Sequence, residues 1–234
     1  MICIPIAAGT TDGAVERMER AAPLADCVEL RIDRIPGADL ERLLKGRHCP
    51  VIVTNRRWQE GGEVAGTEPE RIAALIRGAR LGADYVDCEE ATDPALKAEL
   101  RSALAGGSAR LICSWHDFSG TPAAEFLQEK LRACMADAPA IVKIVTHADT
   151  AADCLRVLEL IPHAQQKGQA IAAFCMGSAG KISRVMAPLI GSAITFVSLE
   201  PEEASAPGQL TIHELRAINR IIEGGISDGG THDG

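Results

Sequence analysis

Apolar side chains gather along the chain in short runs rich in β-branched residues, at 2–6, 27–32, 50–54, 83–88, 110–114, 140–145, 169–174 and 193–197. The runs are near-continuous rather than alternating, as parallel strands covered on their outer face require. Between them lie stretches with helical spacing and helix-forming residues, at 12–22, 38–44, 69–81, 94–104, 123–135, 150–163, 181–190 and 209–222. Thr92, two residues before Pro94, and Thr121, next to Pro122, are read as helix start signals. Strict alternation of eight strands with eight helices predicts a single-domain (β/α)8 TIM barrel over residues 1–222, with a doubly wound open sheet as the other arrangement. The Gly-rich end EGGISDGGTHDG, residues 223–234, is expected to be a disordered tail.

Composition narrows the function classes. The chain has 234 residues, about 29 per βα unit, which makes a lean barrel with short loops. A net charge of −8 lacks the basic footprint of a nucleic-acid partner. Aromatics at 3% are too few for a base-stacking surface. No apolar run approaches the roughly 20 residues that span a bilayer, so no membrane partner is expected. The eight cysteines include no CxxC and no Cys/His spacing of the zinc type, so no metal is expected from them. The N-terminal MICIPIAAGT has no secretory pattern, and the thiols read as reduced core fillers of a cytoplasmic protein.

In such a barrel, chemistry sits at the C-terminal ends of the strands. The residues singled out there are Glu29, Arg31, Asp33, Arg56, Arg57, Glu60, Asp87, Glu89, Ser114, His116, Asp117, Lys143, Met176, Arg184, Ser205 and Gln209. Lys143 stands out because IVKIV is otherwise apolar. A lysine freed of its proton in a dry pocket is an amine nucleophile toward carbonyl carbon. His116, in SWHDF just past the fifth strand and next to the sixth in the barrel, suits general acid–base work, and Glu60 is a candidate to orient its ring. His147 is a rival base. Asp87 and Glu89 read as an acidic wall or as a Mg²⁺ site with arginines as competing partners. Four arginines on one face of an acidic protein point to a small anionic substrate, a carboxylate held bidentately. GSAGK after the seventh strand lacks the spacing of a phosphate loop. Trp58, Trp115, Phe118, Phe174 and Phe196 all fall near strand ends, around the expected pocket.

Taken in order, ELRID, TNRRWQEGG, DYVDCE, SWHDF, IVKIV, GSAGKISR and SAPGQ resemble the type I 3-dehydroquinate dehydratases, over nearly the whole chain. The resemblance implies a metal-free and cofactor-free barrel, usually a homodimer, that converts 3-dehydroquinate to 3-dehydroshikimate by syn elimination. It implies that Lys143 forms a Schiff base with the substrate ketone, that His116 moves the protons, and that Glu60 is set against that histidine. It further implies substrate contacts from Glu29, Arg31, Arg56, Arg184, Ser205 and Gln209, with Met176 and Phe196 lining the pocket. The segment LEPEEASAPGQ is longer and more acidic than the family pattern. A class I aldolase would use the same imine, usually on phosphorylated substrates. A silent barrel that only binds a small acid would lack one of Lys143, His116 or Glu60.

Overall fold

The computed structural model describes residues 1–63 and 66–224. Its elements run β1 (Ile2–Ile6), α1 (Thr11–Ala21), β2 (Cys27–Arg31), α2 (Leu40–Lys45), β3 (Val51–Thr54), α3 (Glu68–Arg80), β4 (Tyr85–Glu89) and α4 (Pro94–Ala105). They continue β5 (Arg110–Asp117), α5 (Ala124–Met135), β6 (Ile141–His147), α6 (Ala151–Leu158), α7 (Leu160–Gln166), β7 (Ala170–Met176), α8 (Lys181–Leu189), β8 (Thr195–Phe196) and α9 (Ile212–Gly224). All pairings are parallel, in the order β7-β6-β5-β4-β3-β2-β1-β8. This is the TIM barrel expected from the alternation, nearly closed. At the seam, β8 is only two residues long, and Ala193 N donates to Ile171 O at 2.7 Å where a full ladder would run.

Apolar packing separates into a shell and a plug. Val28, Leu30, Val53 and Val86 face the helices on one side of the barrel, and Val142, Ile144 and Ile171 do so on the other. The opposite parity fills the interior: Cys3, Cys27, Ile52, Tyr85, Ile112, Ile141, Ala172 and Ile194 form an apolar floor. All eight cysteines are free, and seven of them are buried. Burial, then the neighbouring Glu89, pushes the Cys88 thiol up to about 12, which leaves it unreactive at neutral pH.

The helices differ from the sequence expectation at identifiable residues. The 150–163 stretch is two helices, broken at Glu159. Pro162 lacks an N–H, and its ring crowds the carbonyl of Leu158 four residues back. Asp93, not Thr92, caps α4, accepting from Ala95 N at 2.8 Å and Leu96 N at 3.3 Å. Thr121 does not cap α5 either; its hydroxyl donates to His147 O at 2.7 Å. At the final helix, Thr211 accepts from Glu214 N at 3.1 Å while the Glu214 carboxylate accepts from Thr211 N at 2.7 Å. That reciprocal cap starts α9 at Ile212, which leaves Gln209 in the preceding loop, and the helix runs on to Gly224, past the expected boundary at residue 222. The rest of the expected tail, 225–234, lies outside the described residues.

Candidate active site

Above the apolar floor the inner face turns polar. The next inward positions on β2 and β4 to β6 are Glu29, Asp87, Ser114 and Lys143, with Thr54 on β3, all of them buried. One step higher come Arg31, Arg56, Glu89 and His116. These strands keep pairing through their polar ends: β5 extends to Asp117 and β6 to His147, beyond the apolar runs that mark them in the sequence. The result is a pocket at the C-terminal ends of the strands in which charged groups face an apolar wall, the kind of lining that orients a small ligand. Every catalytic and substrate-binding candidate of the sequence analysis lines it: Lys143, His116, Glu60, Glu29, Arg31, Arg56, Arg184, Ser205 and Gln209.

Lys143 Nζ donates to Glu29 Oε1 at 3.1 Å and Asp87 Oδ2 at 3.2 Å, and sits 4.2 Å from the centre of the Phe196 ring. Register pairs Lys143 with Ser114, and His116 with Val145. The two side chains therefore leave the barrel wall one inward step apart, an offset of about 6.6 Å along the strand direction between their backbone positions. Burial is the largest influence on His116, and the charges of Arg56 and Lys143 add to it. Together they push it well below the usual histidine value, so the ring is uncharged at neutral pH. Glu60, carried on the 3-10 turn Trp58–Glu60, accepts His116 N at 2.9 Å and faces Nδ1 at 3.0 Å. An ionised Glu60 assigns the ring proton to Nδ1 and leaves the Nε2 lone pair as the base.

Burial pushes Glu60 up to about 7 against the opposing pull of Arg56. The consequence runs in two directions. Above pH 7 the carboxylate fixes the useful tautomer; below it, a protonated Glu60 no longer does. The native state holds the Glu60 proton more tightly than the unfolded chain, so this group's contribution to stability falls as pH rises from about 4.5 through 7. Glu60→Gln is expected to lower kcat/KM on the order of 10²-fold and to remove an acid limb centred near pH 7. It is also expected to stabilise the protein at about pH 8 by roughly 1–3 kcal/mol, with the gain vanishing toward about pH 5. Pairing pH–rate profiles with thermal melts checks both; a melt unchanged at the higher pH would contradict the buried-carboxylate reading.

The arginines divide by what they already hold. Arg56 donates to Asp87 at 2.7 Å, Glu89 at 2.8 Å and Ser114 at 2.6 Å. Burial opposes charge on Asp87, but Arg56 and then Lys143 outweigh it and hold the carboxyl well below the usual range. Glu89 also meets Arg71 at 2.6 Å, so the acidic wall is tied to arginines. Arg31 grips Asp33 through two hydrogen bonds of 2.9 and 2.7 Å. Arg57 does not join the others: it bonds Gln59 at 3.2 Å and lies outside this pocket. Arg184 is different again. Buried on α8 and stacked 4.6 Å over the Phe174 ring, its Nε and Nη2 have no hydrogen-bond partner among the described residues. Burial brings it down to about 10, still charged at neutral pH. Among the described residues it is the pocket's unmatched cation.

Some expectations need correction. Of the five aromatics expected around the pocket, Phe118, Phe174 and Phe196 line it. Trp58 points into solvent at 72% exposure, and Trp115 packs on Phe126 at 5.9 Å in the helix layer. His147 is 3.7 Å from Asp149 and does not line the pocket. Arg34, which does line it, was not anticipated. It sits in the 3-10 turn Ile32–Arg34, where strand alternation has ended and parity no longer tells which way a side chain points.

The sequence profile of the family described as Type I 3-dehydroquinase matches residues 2–226. The 3-dehydroquinate dehydratase of Desulfotalea psychrophila is 36% identical over 218 residues, covering 93% of this chain and 96% of its own. That of Syntrophobacter fumaroxidans is 40% identical over 183 residues, covering 78% and 76%. The crystal structure of 3-dehydroquinate dehydratase from Geobacillus kaustophilus is similar with a TM-score of 0.86 at 28% identity, covering 95% of this chain and 91% of that one.

Proposed function

The chain belongs to the type I 3-dehydroquinase family, hydro-lyases acting on 3-dehydroquinate, and from that premise we propose that it dehydrates 3-dehydroquinate to 3-dehydroshikimate through a Schiff base on Lys143. The observation that carries the mechanism is a buried lysine amine one inward step below a neutral histidine whose Nδ1 faces a carboxylate. The substrate is a β-hydroxy ketone bearing a carboxylate, and each of these groups has a counterpart in the pocket.

Lys143 Nζ adds to the ketone carbon, and the two protons that its ammonium gives up pass to the ketone oxygen. The resulting carbinolamine loses its oxygen as water, leaving a protonated imine. Nε2 of His116 removes a proton from the adjacent carbon, and the imine takes up the electron pair as an enamine. The enamine expels the β-hydroxyl, which leaves as water with the proton carried by His116. Hydrolysis of the conjugated imine consumes one water, releases product and restores the amine, so the net loss is one water. Val145, Phe174, Met176 and Phe196 give the ring an apolar wall, and Ser205 and Gln209 are placed for its hydroxyls. Glu29, Arg31 and Arg56 shape the polar side around the reacting carbon.

Arg184 is the carboxylate's partner in this reading. A buried guanidinium without a counter-ion destabilises the empty protein and gains a charge-assisted pair when an anion arrives. Arg184→Met is therefore expected to raise KM on the order of 10²-fold, the loss of a bidentate charged pair. The same change is expected to raise the melting temperature of the unliganded protein, because burial no longer opposes a charge. Conversion of 3-dehydroquinate followed by the absorbance of the conjugated product tests the function itself. A protein that leaves the substrate unchanged would sink it, and an Arg184→Met variant with wild-type KM would remove the arginine from its role.

A further inference from the structure

The loop between β8 and α9 carries Ser205 and Gln209 over the pocket, and it is attached at points that the chemistry above does not use. Ser205 O accepts from Arg34 Nη1 at 3.0 Å. The same guanidinium approaches Gly61 O through Nη2 at 3.5 Å and pairs with Glu63 through Nε at 3.1 Å. Gly61 directly follows Glu60, so one arginine joins the turn that orients His116 to the loop that faces substrate. Two residues upstream of Ser205, Glu203 meets Arg20 at 3.0 Å and Arg17 at 3.4 Å, both on α1, and Glu200 meets Arg20 at 3.6 Å. Glu203 is only 14% exposed between these two arginines, so its pairing is less screened than a surface ion pair. Downstream, Gly177 N donates to Pro207 O at 3.0 Å, and Gly208 (φ 74°) lies so close to the Gly177 carbonyl that no Cβ fits.

We propose that Arg34 is a positioning residue, assisted by the Glu203 clasp to Arg17 and Arg20, that holds the 205–209 loop closed over the pocket before substrate binds. The acidic stretch at 200–203 thereby has a physical role: it gives the loop an anchor on α1. A loop already ordered spares the ligand the entropy of closing it, and that saving appears in substrate binding rather than in the chemical step. Ser205 is preset in the same way, since its N and Oγ both reach Gln209 Oε1, at 2.7 and 3.1 Å.

The inference rests on the proposed function only for its kinetic arm. Hydrogen exchange read on substrate-free protein tests the clasp independently. Arg34→Ala is expected to speed exchange in a peptide covering 199–209 by about tenfold or more, while a β6 peptide spanning 141–147 keeps its wild-type protection. Glu203→Gln, a milder change that removes the charge but keeps the side chain's length, is expected to speed the same loop peptide by a smaller factor. In turnover of 3-dehydroquinate, Arg34→Ala is expected to raise KM about tenfold with kcat within about threefold, and Arg34→Lys to recover part of the loss by reaching one carbonyl. Unchanged exchange of 199–209 in Arg34→Ala would overturn the clasp, and with a raised KM it would assign Arg34 to direct substrate contact. Faster exchange throughout the barrel would reduce Arg34 to a residue of the fold. If wild-type protein fails to dehydrate the substrate, the function fails while the exchange result still decides the clasp.

Discussion

Lys143→Met is expected to lower turnover of 3-dehydroquinate by at least about 10⁴-fold, with the protein still folded. The size follows from what is lost. Without the amine there is no imine, and the electron pair left by proton removal has only a ketone oxygen to receive it. Methionine matches the length of the lysine stem and sets a thioether where the amine faces the Phe196 ring. The neighbours left behind are not stranded: Glu29 keeps the Thr54 hydroxyl at 2.8 Å, and Asp87 keeps Arg56 at 2.7 Å and Ser114 at 2.6 Å. A near-native melting temperature with lost turnover is therefore the expected pair of results. Lys143→Arg sharpens the comparison, because it keeps a positive charge in the pocket but cannot form the imine. Substantial activity in the arginine variant would mean that charge, and not covalent chemistry, does the work.

His116→Ala is expected to separate the two halves of the reaction. Imine formation persists at least in part, while turnover falls by roughly 10²–10⁴-fold, the usual worth of a positioned acid–base group. The ring's neutrality underlies this expectation, since burial and the charges of Arg56 and Lys143 keep Nε2 free to accept a proton. Quench-flow or mass measurement of the covalent species, alongside steady-state turnover, distinguishes the steps. An unaltered turnover would require another base. His147, the alternative suggested by sequence proximity, stands at the end of β6 beside Asp149 and outside the pocket, so it is poorly placed to take that part.

Much of this site was legible because period-two alternation and the barrel rule act on the same residues. In CVELR, YVDCE and IVKIV, the outward positions Val28, Leu30, Val86, Cys88, Val142 and Ile144 are all apolar, while the inward ones carry Glu29, Arg31, Asp87, Glu89 and Lys143. The apolar shell makes the runs look continuous, and the polar interruptions mark the inner face. Sequence could not give the pairing of charges. Nothing in the spacing says that Arg56 is held by Asp87 and Glu89, or Arg31 by Asp33, whereas Arg184 is left unmatched among the described residues. Those partnerships depend on strands that meet only in the folded barrel. Turn and loop residues were legible least: Arg34 and the starting point of α9 are set by local hydrogen bonds that no periodicity encodes. The strand ends were missed for a related reason, since backbone pairing continues under Trp115 to Asp117 after the apolar run has stopped.

An imine on Lys143 is a covalent bond, and borohydride trapping reads it directly. Incubating the protein with 3-dehydroquinate and reducing with borohydride converts an imine into a stable secondary amine. One adduct per chain is expected, mapped by peptide mass to Lys143 and missing from Lys143→Met. No adduct during active turnover, or an adduct on a different lysine, would contradict it.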